Sequence, residues 1–517
     1  MATERQRAGR ITIGLLMGLF LSSLDQTIIS TAMPTVVKEL GGLSLYSWVF
    51  TVYMLASTST MPIYGKLADL VGRKRLYIFG LLLFLIGSVL CGFAGSMAEL
   101  IIFRAIQGLG AGALMPISMT IVADIYPPDK RGKFMGLFGA VFALSSIIGP
   151  ALGGMIVQQW DWGWIFYMNI PVGIAALLLV ATALKESKGT EKVSIDWFGA
   201  ITLVAAIVSV LIALVLGGAN RESDTSYAWT SPQIMGLFGI GAVFLALFLW
   251  METRAKEPII PLRLFKVRTI ALGNVIGFFM SAGMFGAIVY IPLFVQGVIG
   301  VSSSTAGYIL TPLMLSSIVT SIVGGRLMSK WSYRTILAVS MALMTIGFVL
   351  LSQLTVDTTK LQMIGCMIIT GLGMGAVYPT VGTAAQSAVD HKTIGVATST
   401  SQFFRSIGGT IGVSVFGSLL SQQLASGSIE LNKRLGPFSA EQAKEMLDPQ
   451  ALLDSSTRAA LPPEVLMGLR EVFSHALDKV FLCSLVFVCI GLLASLLMGG
   501  ARLVTKNRMQ GTIEASE

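Results

Sequence analysis

Charge is scarce in this sequence. Asp, Glu, Lys and Arg make up 12% of 517 residues, against 54% hydrophobic. A soluble domain carries about 25% charged residues, so this chain has too little charge to cover a water-facing surface. Its mean hydropathy of +0.78 assigns that surface to lipid. Histidine is rarer still: His391 and His475 are the only two, and both fall outside the apolar runs. The four cysteines, Cys91, Cys366, Cys483 and Cys489, lie inside apolar runs and read as small packing residues. A metal cluster or nucleophile–base pair within the apolar segments has little to be built from, which argues against a membrane-embedded enzyme. No Gly-x-x-x-x-Gly-Lys-Ser/Thr phosphate loop is present, which argues against an ATP-driven pump.

The chain does have long apolar runs. A helical crossing needs about 20 mostly apolar residues. Fourteen segments qualify, near 11–33, 47–65, 76–95, 99–122, 134–157, 164–184, 197–217, 234–251, 270–291, 305–325, 335–354, 362–381, 397–423 and 480–500. The first, with Asp25 inside it, is too long and too polar for a signal peptide. With the N-terminus inside, the inner segments hold 25 Lys and Arg, whereas the short outer loops hold only Lys38, Arg221 and Lys360. Such asymmetry predicts both termini in the cytoplasm. It also accounts for the net charge of +9, so no nucleic-acid partner is expected. None of the five Asn begins an Asn-x-Ser/Thr acceptor, in keeping with a bacterial source. The outer segment 424–479 is long and near charge balance. After Pro462-Pro463, the residues Val465, Leu469, Val472, Phe473 and Ala476 form an apolar stripe at helical spacing. It is expected to lie on the outer surface or on headgroups.

A repeat is hidden in the chain. Gly108-Leu-Gly-Ala-Gly-Ala-Leu-Met-Pro116 matches Gly371-Leu-Gly-Met-Gly-Ala-Val-Tyr-Pro379 at six of nine positions. Gly65-Lys-Leu67 and Gly325-Arg-Leu327 recur at nearly the same offset. The expected organisation is a six-helix half over 1–190, an inserted helix pair with linkers over 191–266, and a second six-helix half over 267–517. Parallel halves about an axis along the membrane normal place a substrate site at midplane. The cavity residues expected there are Asp25, Gln107, Tyr53, Met284 and Tyr378.

Ionisable residues in lipid are expensive and usually functional. Asp25 lies deep in the first span, and a buried carboxylate there would bind and release a proton. The alternative is a permanently hydrogen-bonded structural carboxylate. Arg104 stands in the fourth span, with Gln107 one turn along the same face. Guanidinium does not lose its proton, so Arg104 would hold Asp25 ionised or order water. Alternatively it reaches outward to the headgroups. In the loop Gly65-Lys-Leu-Ala-Asp-Leu-Val-Gly-Arg-Lys-Arg75, Gly65 and Gly72 permit a tight turn. Asp69 and Arg73 would pair with neighbouring span ends, with Asp124 and Arg131 as candidates; the bland reading is a basic inner loop. Ser145, Gly149 and Gly153 form one small-residue stripe in the fifth span, and Pro150 softens its backbone. Ordinary packing is the alternative there.

Together these motifs resemble the major facilitator superfamily, and within it the fourteen-span drug:proton antiporters. The loop 65–75 is typical of the superfamily, Gly149-Pro150 of its exporters, and the Asp25 segment of the fourteen-span group. Trp164-Ile-Phe-Tyr-Met-Asn-Ile-Pro-Val-Gly173 is also similar to that family, although Trp162-Gly163-Trp164 has Gly where the family usually has Arg. Arg405 matches an Arg common in the family's thirteenth span and is read as structural. The resemblance implies an all-α protein of two six-helix halves plus two helices, embedded in the cell membrane. It implies export of small lipophilic compounds by alternating access, energised by a proton gradient, with no cofactor and as a monomer. Residues Gly65, Asp69, Gly72, Arg73, Asp124, Arg131, Gly149, Pro150 and Gly153 would form the conformational switch. Export of one metabolite, lipid or siderophore is the alternative, and uptake symport a further one. Asp25 alone at midplane is expected to favour neutral and monocationic cargo over dications.

Overall fold

The computed structural model describes residues 2–41, 45–185, 196–217, 227–255, 258–301, 309–390, 393–435 and 461–502, together with 452 and 458. These residues are almost wholly helical. The first group comprises α1 (Ala2–Leu40), α2 (Tyr46–Val71), α3 (Arg73–Gly92), α4 (Met97–Ile125), α5 (Pro128–Gln159), α6 (Trp164–Tyr167) and α7 (Asn169–Ala183). The middle pair is α8 (Trp197–Leu216) and α9 (Pro232–Glu252). The last group comprises α10 (Arg268–Phe294), α11 (Thr311–Leu327), α12 (Tyr333–Leu351), α13 (Lys360–Gly375), α14 (Val377–Ser387), α15 (Ile394–Leu435) and α16 (Pro463–Leu497).

Two proline positions explain the two helix breaks. A proline clashes with the carbonyl four residues back. Pro171 thus disfavours continuity at Tyr167, where α6 ends, and Pro379 does the same at Gly375, where α13 ends. Each pair of short helices runs on as one apolar stretch, Trp164–Ala183 and Lys360–Ser387.

Within the first group α4 packs on α2 and α3, and α1 on α5 and α7; in the last group α13 packs on α11 and α12, and α10 on α15 and α16. The glycine repeat sets this geometry. A Cβ on Gly108 or Gly112 would meet backbone of α2, at Tyr53 and Ser57 respectively, while one on Gly110 would meet backbone of α3 at Phe84. In the last group Gly371 and Gly375 face α11 at Leu313 and Ser317, and Gly373 faces α12 at Met344. The same three glycines therefore seat the fourth helix of each group against its second and third. Helices in lipid gain most from such close approach, because apolar surface alone does not drive them together. The middle pair α8 and α9 pack on each other, and α8 also touches α2 and α15.

Among the described residues, twelve segments are long and apolar enough to cross a membrane. Of the fourteen expected, 47–65 and 305–325 are not among them. The first corresponds to α2, diluted by Ser57, Thr58, Ser59 and Thr60; the hydroxyls of Ser57, Ser59 and Thr60 bond carbonyls one turn back. The second corresponds to α11, whose helix has 17 residues. The segment 424–479 also differs from expectation. Helix α15 continues to Leu435, and α16 runs unbroken from Pro463 to Leu497. With 42 residues, α15 is about 63 Å long at 1.5 Å per residue, twice the roughly 30 Å hydrocarbon core. The apolar stripe therefore does not lie flat on the surface. Val465, Leu469, Phe473 and Ala476 are buried, Gly468 sits against Leu431, and Gly427 against Val472. The two long helices form a hairpin that prolongs the bundle. Residues 436–451 of that segment lie outside the described residues, as do 191–195 of the first linker.

If close backbone approach seats α4, then Gly110→Ala should destabilise the protein by about 1–3 kcal/mol, the usual range for overpacking. Gly236→Ala, where a Cβ would meet nothing within 4 Å, should leave Tm in detergent unchanged. Equal shifts for the two variants would contradict the packing argument.

Candidate transport site

Helices α1, α3, α4 and α7 bring five polar or charged side chains into one buried cluster. Asp25 and Arg104 are each 1% exposed. Arg104 Nη1 donates to Asp25 Oδ2 at 2.5 Å and to Gln107 Oε1 at 2.7 Å. Gln107 Nε2 donates to Asp25 Oδ1 at 2.8 Å. Asn169 Nδ2 donates to the same oxygen at 3.4 Å and to Ser88 Oγ at 3.0 Å. The guanidinium stacks 4.1 Å above the Tyr53 ring, and Nε reaches the Val49 carbonyl at 3.4 Å. Both carboxylate oxygens thus have donors, and the cation has a carboxylate, an amide oxygen and an aromatic face. Removing one partner of such a buried pair would leave an unpaired charge, at a cost of about 3–5 kcal/mol. Arg104 does not reach out to headgroups: it points inward from α4 and closes on α1.

Beside the cluster lies a cavity of about 330 Å³ between the two six-helix groups. Seven of its lining residues are methionine, among them Met54, Met115, Met284 and Met374. Flexible thioether chains repack around differently shaped apolar molecules. Of the five side chains expected at the cavity, Met284 and Tyr378 line it. Asp25, Gln107 and Tyr53 stand behind its wall instead. The reason is helical phase: α1 turns Ser22, Ser23 and Gln26 to the cavity and Asp25 towards α4. Tyr53 joins the two regions, because its hydroxyl lies 3.4 Å from Ser22 Oγ and also bonds Gln26, both on the cavity wall.

A second polar site occupies the end of the molecule where α1 begins. Gly72, with φ 111°, makes the turn between α2 and α3, a conformation that favours glycine. Arg73 pairs with Asp69 at 3.1 Å and with Asp124 at the end of α4. Asp69 also crosses to the other six-helix group. Its Oδ1 and Oδ2 accept from the Gly395 and Val396 N–H groups at 3.1 and 3.0 Å, at the first turn of α15. Free N–H groups at a helix start are a ready site for a carboxylate. Gly65 abuts Ser399 and the Gly395 carbonyl, so a side chain there would hold the groups apart. Arg131 takes no part in the ion pairs: it donates to the Ala123 and Tyr126 carbonyls at 2.7 and 3.1 Å, closing the end of α4. Gly149 packs on Thr27 of α1, two residues from Asp25, and Thr27 Oγ1 donates to the Ser145 carbonyl at 3.0 Å. Gly153 is buried one turn along α5. Pro150 lies in the same helix, with its side chain outside the described residues.

Sequence reasoning missed Asn169, Ser88 and the part of Asp69 that faces α15. Asn169 was visible as the one amide in the run Trp164–Ala183, but a neutral polar residue in a span carries no charge to mark it.

A membrane-crossing helical bundle with two structurally matched halves, a central cavity and a buried ion pair beside it defines a solute carrier. The model of the Major Facilitator Superfamily matches residues 15–413, and the chain belongs to that family. It is 42% identical to the multidrug transporter protein MdtP of Bacillus subtilis, over 98% of this chain and 96% of that protein. It is 41% identical to multidrug resistance protein 3 of the same organism, over 96% of each. Among solved structures it resembles the proton:xylose symporter XylE, with TM-score 0.61 at 15% identity, covering 97% of this chain and 98% of that one. This last likeness shows the fold alone.

The Asp69 contact should act on rate rather than on affinity. Asp69→Asn loses a charge-assisted bond across the two groups, of the class worth about 1.5–3 kcal/mol. Turnover is expected to fall about tenfold or more, with substrate Kd changed less than about twofold. A loss of affinity with normal turnover would place the loop in the binding site.

Proposed function

We propose that this protein is a proton-coupled antiporter that exports small lipophilic compounds from the cell by alternating access. The observation that carries the reading is the buried Asp25–Arg104–Gln107 cluster, one residue layer from a methionine-lined cavity. The family membership and the two multidrug relatives support export of varied compounds. In this reading Asp25 is the proton site. While ionised it is held by Arg104 and Gln107; when protonated it accepts less from both, and the helices α1 and α4 are released from each other. The Tyr53–Ser22 contact is the route by which the cavity and the cluster exchange protons and influence each other.

The distribution of Lys and Arg supports both termini in the cytoplasm, with α2 and α11 completing fourteen crossings in this reading. The contact of Asp69 with α15 then closes the cytoplasmic end, and the conformation described is the one that faces outward. An outward-facing carrier with Asp25 ionised is ready to receive a proton from outside and return. The small-residue contact of Gly149 with Thr27 couples the fifth span to the proton-bearing helix.

The cargo range read from the sequence narrows. A monocation would have to displace Arg104 from Asp25, and among the described residues no carboxylate lines the cavity to receive it. Neutral lipophilic compounds fit the cavity as it stands. Export of a single metabolite or lipid is less favoured, because seven flexible methionines impose little shape selection.

Asp25→Asn preserves shape and removes titration. In everted vesicles, pH-gradient-driven efflux of a neutral lipophilic dye should fall to the level of empty vesicles, with the variant still inserted in the membrane. Efflux that still follows the gradient in Asp25→Asn would overturn the assignment of the proton site.

A further inference from the structure

Among the described residues, the cavity wall contains one charged side chain, Arg405 of α15. It is 5% exposed. Guanidinium stays protonated under any physiological condition, so a full positive charge is buried here. Among the described residues no carboxylate pairs with it. Its neighbours are the face of Tyr378, with the guanidinium carbon 3.2 Å from the ring centroid, and the amide oxygen of Gln402. Gly277 gives its stem room, since a Cβ there would stand 3.0 Å from Arg405 Cγ. The contrast with Arg104 is plain: one arginine has a carboxylate and a closed donor set, the other has neither. A buried cation without a counter-charge is unfavourable unless something supplies one.

The hydroxyls around it are also poorly occupied. The Tyr378 hydroxyl donates to Met115 Sδ at 3.8 Å, and Ser406 Oγ to Met61 Sδ at 3.7 Å. Thioether sulfur is a weak acceptor, so both donors are free to prefer a better one. Ser321 Oγ, buried on the same cavity wall, has no hydrogen-bond partner among the described residues. The cavity thus offers a cation and underused donors, and no ionised acceptor.

We infer that Arg405, with Tyr378 and Ser406, forms an anion subsite in this cavity, and that the cargo includes lipophilic monoanions such as aromatic carboxylates. The carboxylate would take the two-pronged bond that guanidinium offers, while the apolar body of the molecule lies among the methionines. This deepens the proposed export function and rests on the cavity being its substrate site. Arg405 then selects cargo and is not simply a packing residue of α15.

The test is equilibrium binding of a matched pair to the purified full-length protein: an aromatic carboxylic acid and its methyl ester, at neutral pH. Binding needs no gradient, so its outcome is separate from whether pH-driven export occurs. The acid should bind at least about tenfold tighter than the ester, as expected of a charge-assisted bond in a dry site. Arg405→Gln should lower acid affinity about tenfold or more and change ester affinity less than about twofold, and Arg405→Lys should restore part of the preference. Should Arg405→Gln fail to fold, Tyr378→Phe serves instead, lowering affinity for the acid about threefold and leaving the ester unchanged. Equal affinity of acid and ester for the unmodified protein would overturn the inference, as would an equal loss of both in Arg405→Gln. Loss of gradient-driven transport with the acid preference intact would overturn the export reading and leave the subsite standing.

Discussion

An aspartate and an arginine buried within a helix bundle in lipid are stable only together. Bringing each into low dielectric is penalised by several kcal/mol, and their mutual attraction with hydrogen bonds to both offsets it. Asp25 and Arg104 meet that condition through Gln107, Asn169, the Val49 carbonyl and the Tyr53 ring. Much of the surrounding structure serves this contact. Gly108, Gly110 and Gly112 seat α4 close to α2 and α3, which fixes where Arg104 points. Gly149 and Ser145 seat α5 on α1, which fixes Asp25. In the proposed mechanism this pair is the switch, because a proton on Asp25 would weaken its bonds from Arg104 and Gln107.

The buried ion pair and the Asp69 contact between the two halves are linked through one helix. Helix α4 carries Arg104 in its first half and Asp124 at its other end, where Arg73 joins it to the Asp69 contact with α15. A shift of α4 that follows release of Asp25 would be felt at Arg73. The cavity is bounded by both halves, so any change in their relative tilt alters its mouth. In the proposed mechanism, proton, cargo and end closure would share one set of rigid elements, as alternating access about a midplane site requires. Arg405 provides a second charge in the opposite half, where the first half's Asp25 has no counterpart.

Much of this was legible in the sequence. The glycine repeat at 108–116 and 371–379 announced the two matched halves because close helix approach admits only small residues. Asp25 and Arg104 stood out because charge inside an apolar run is rare. What stayed hidden depended on phase and partnership. Asp25 and Ser22 lie on one short segment, yet the helix turns them to different neighbours. Arg405 was visible, but its lack of a counter-ion is a property of the space around it. The unbroken α16 was divided in the sequence between the segment 424–479 and the span 480–500, because its first half carries charged residues beside the apolar stripe. The hydroxyl-rich middle of α2 lowered its hydropathy because those residues face the cavity or bond their own backbone.

The central claim is that protonation of Asp25 releases the closed end of the molecule. Spin labels at Thr182 and Ser329, exposed residues near the closed end on the two halves, report that distance by double electron–electron resonance. In the unmodified protein the short distance should prevail at high pH and give way to a longer one as pH falls. In Asp25→Asn the longer distance should prevail at every pH. A pH-driven change that persists unaltered in Asp25→Asn would contradict the account.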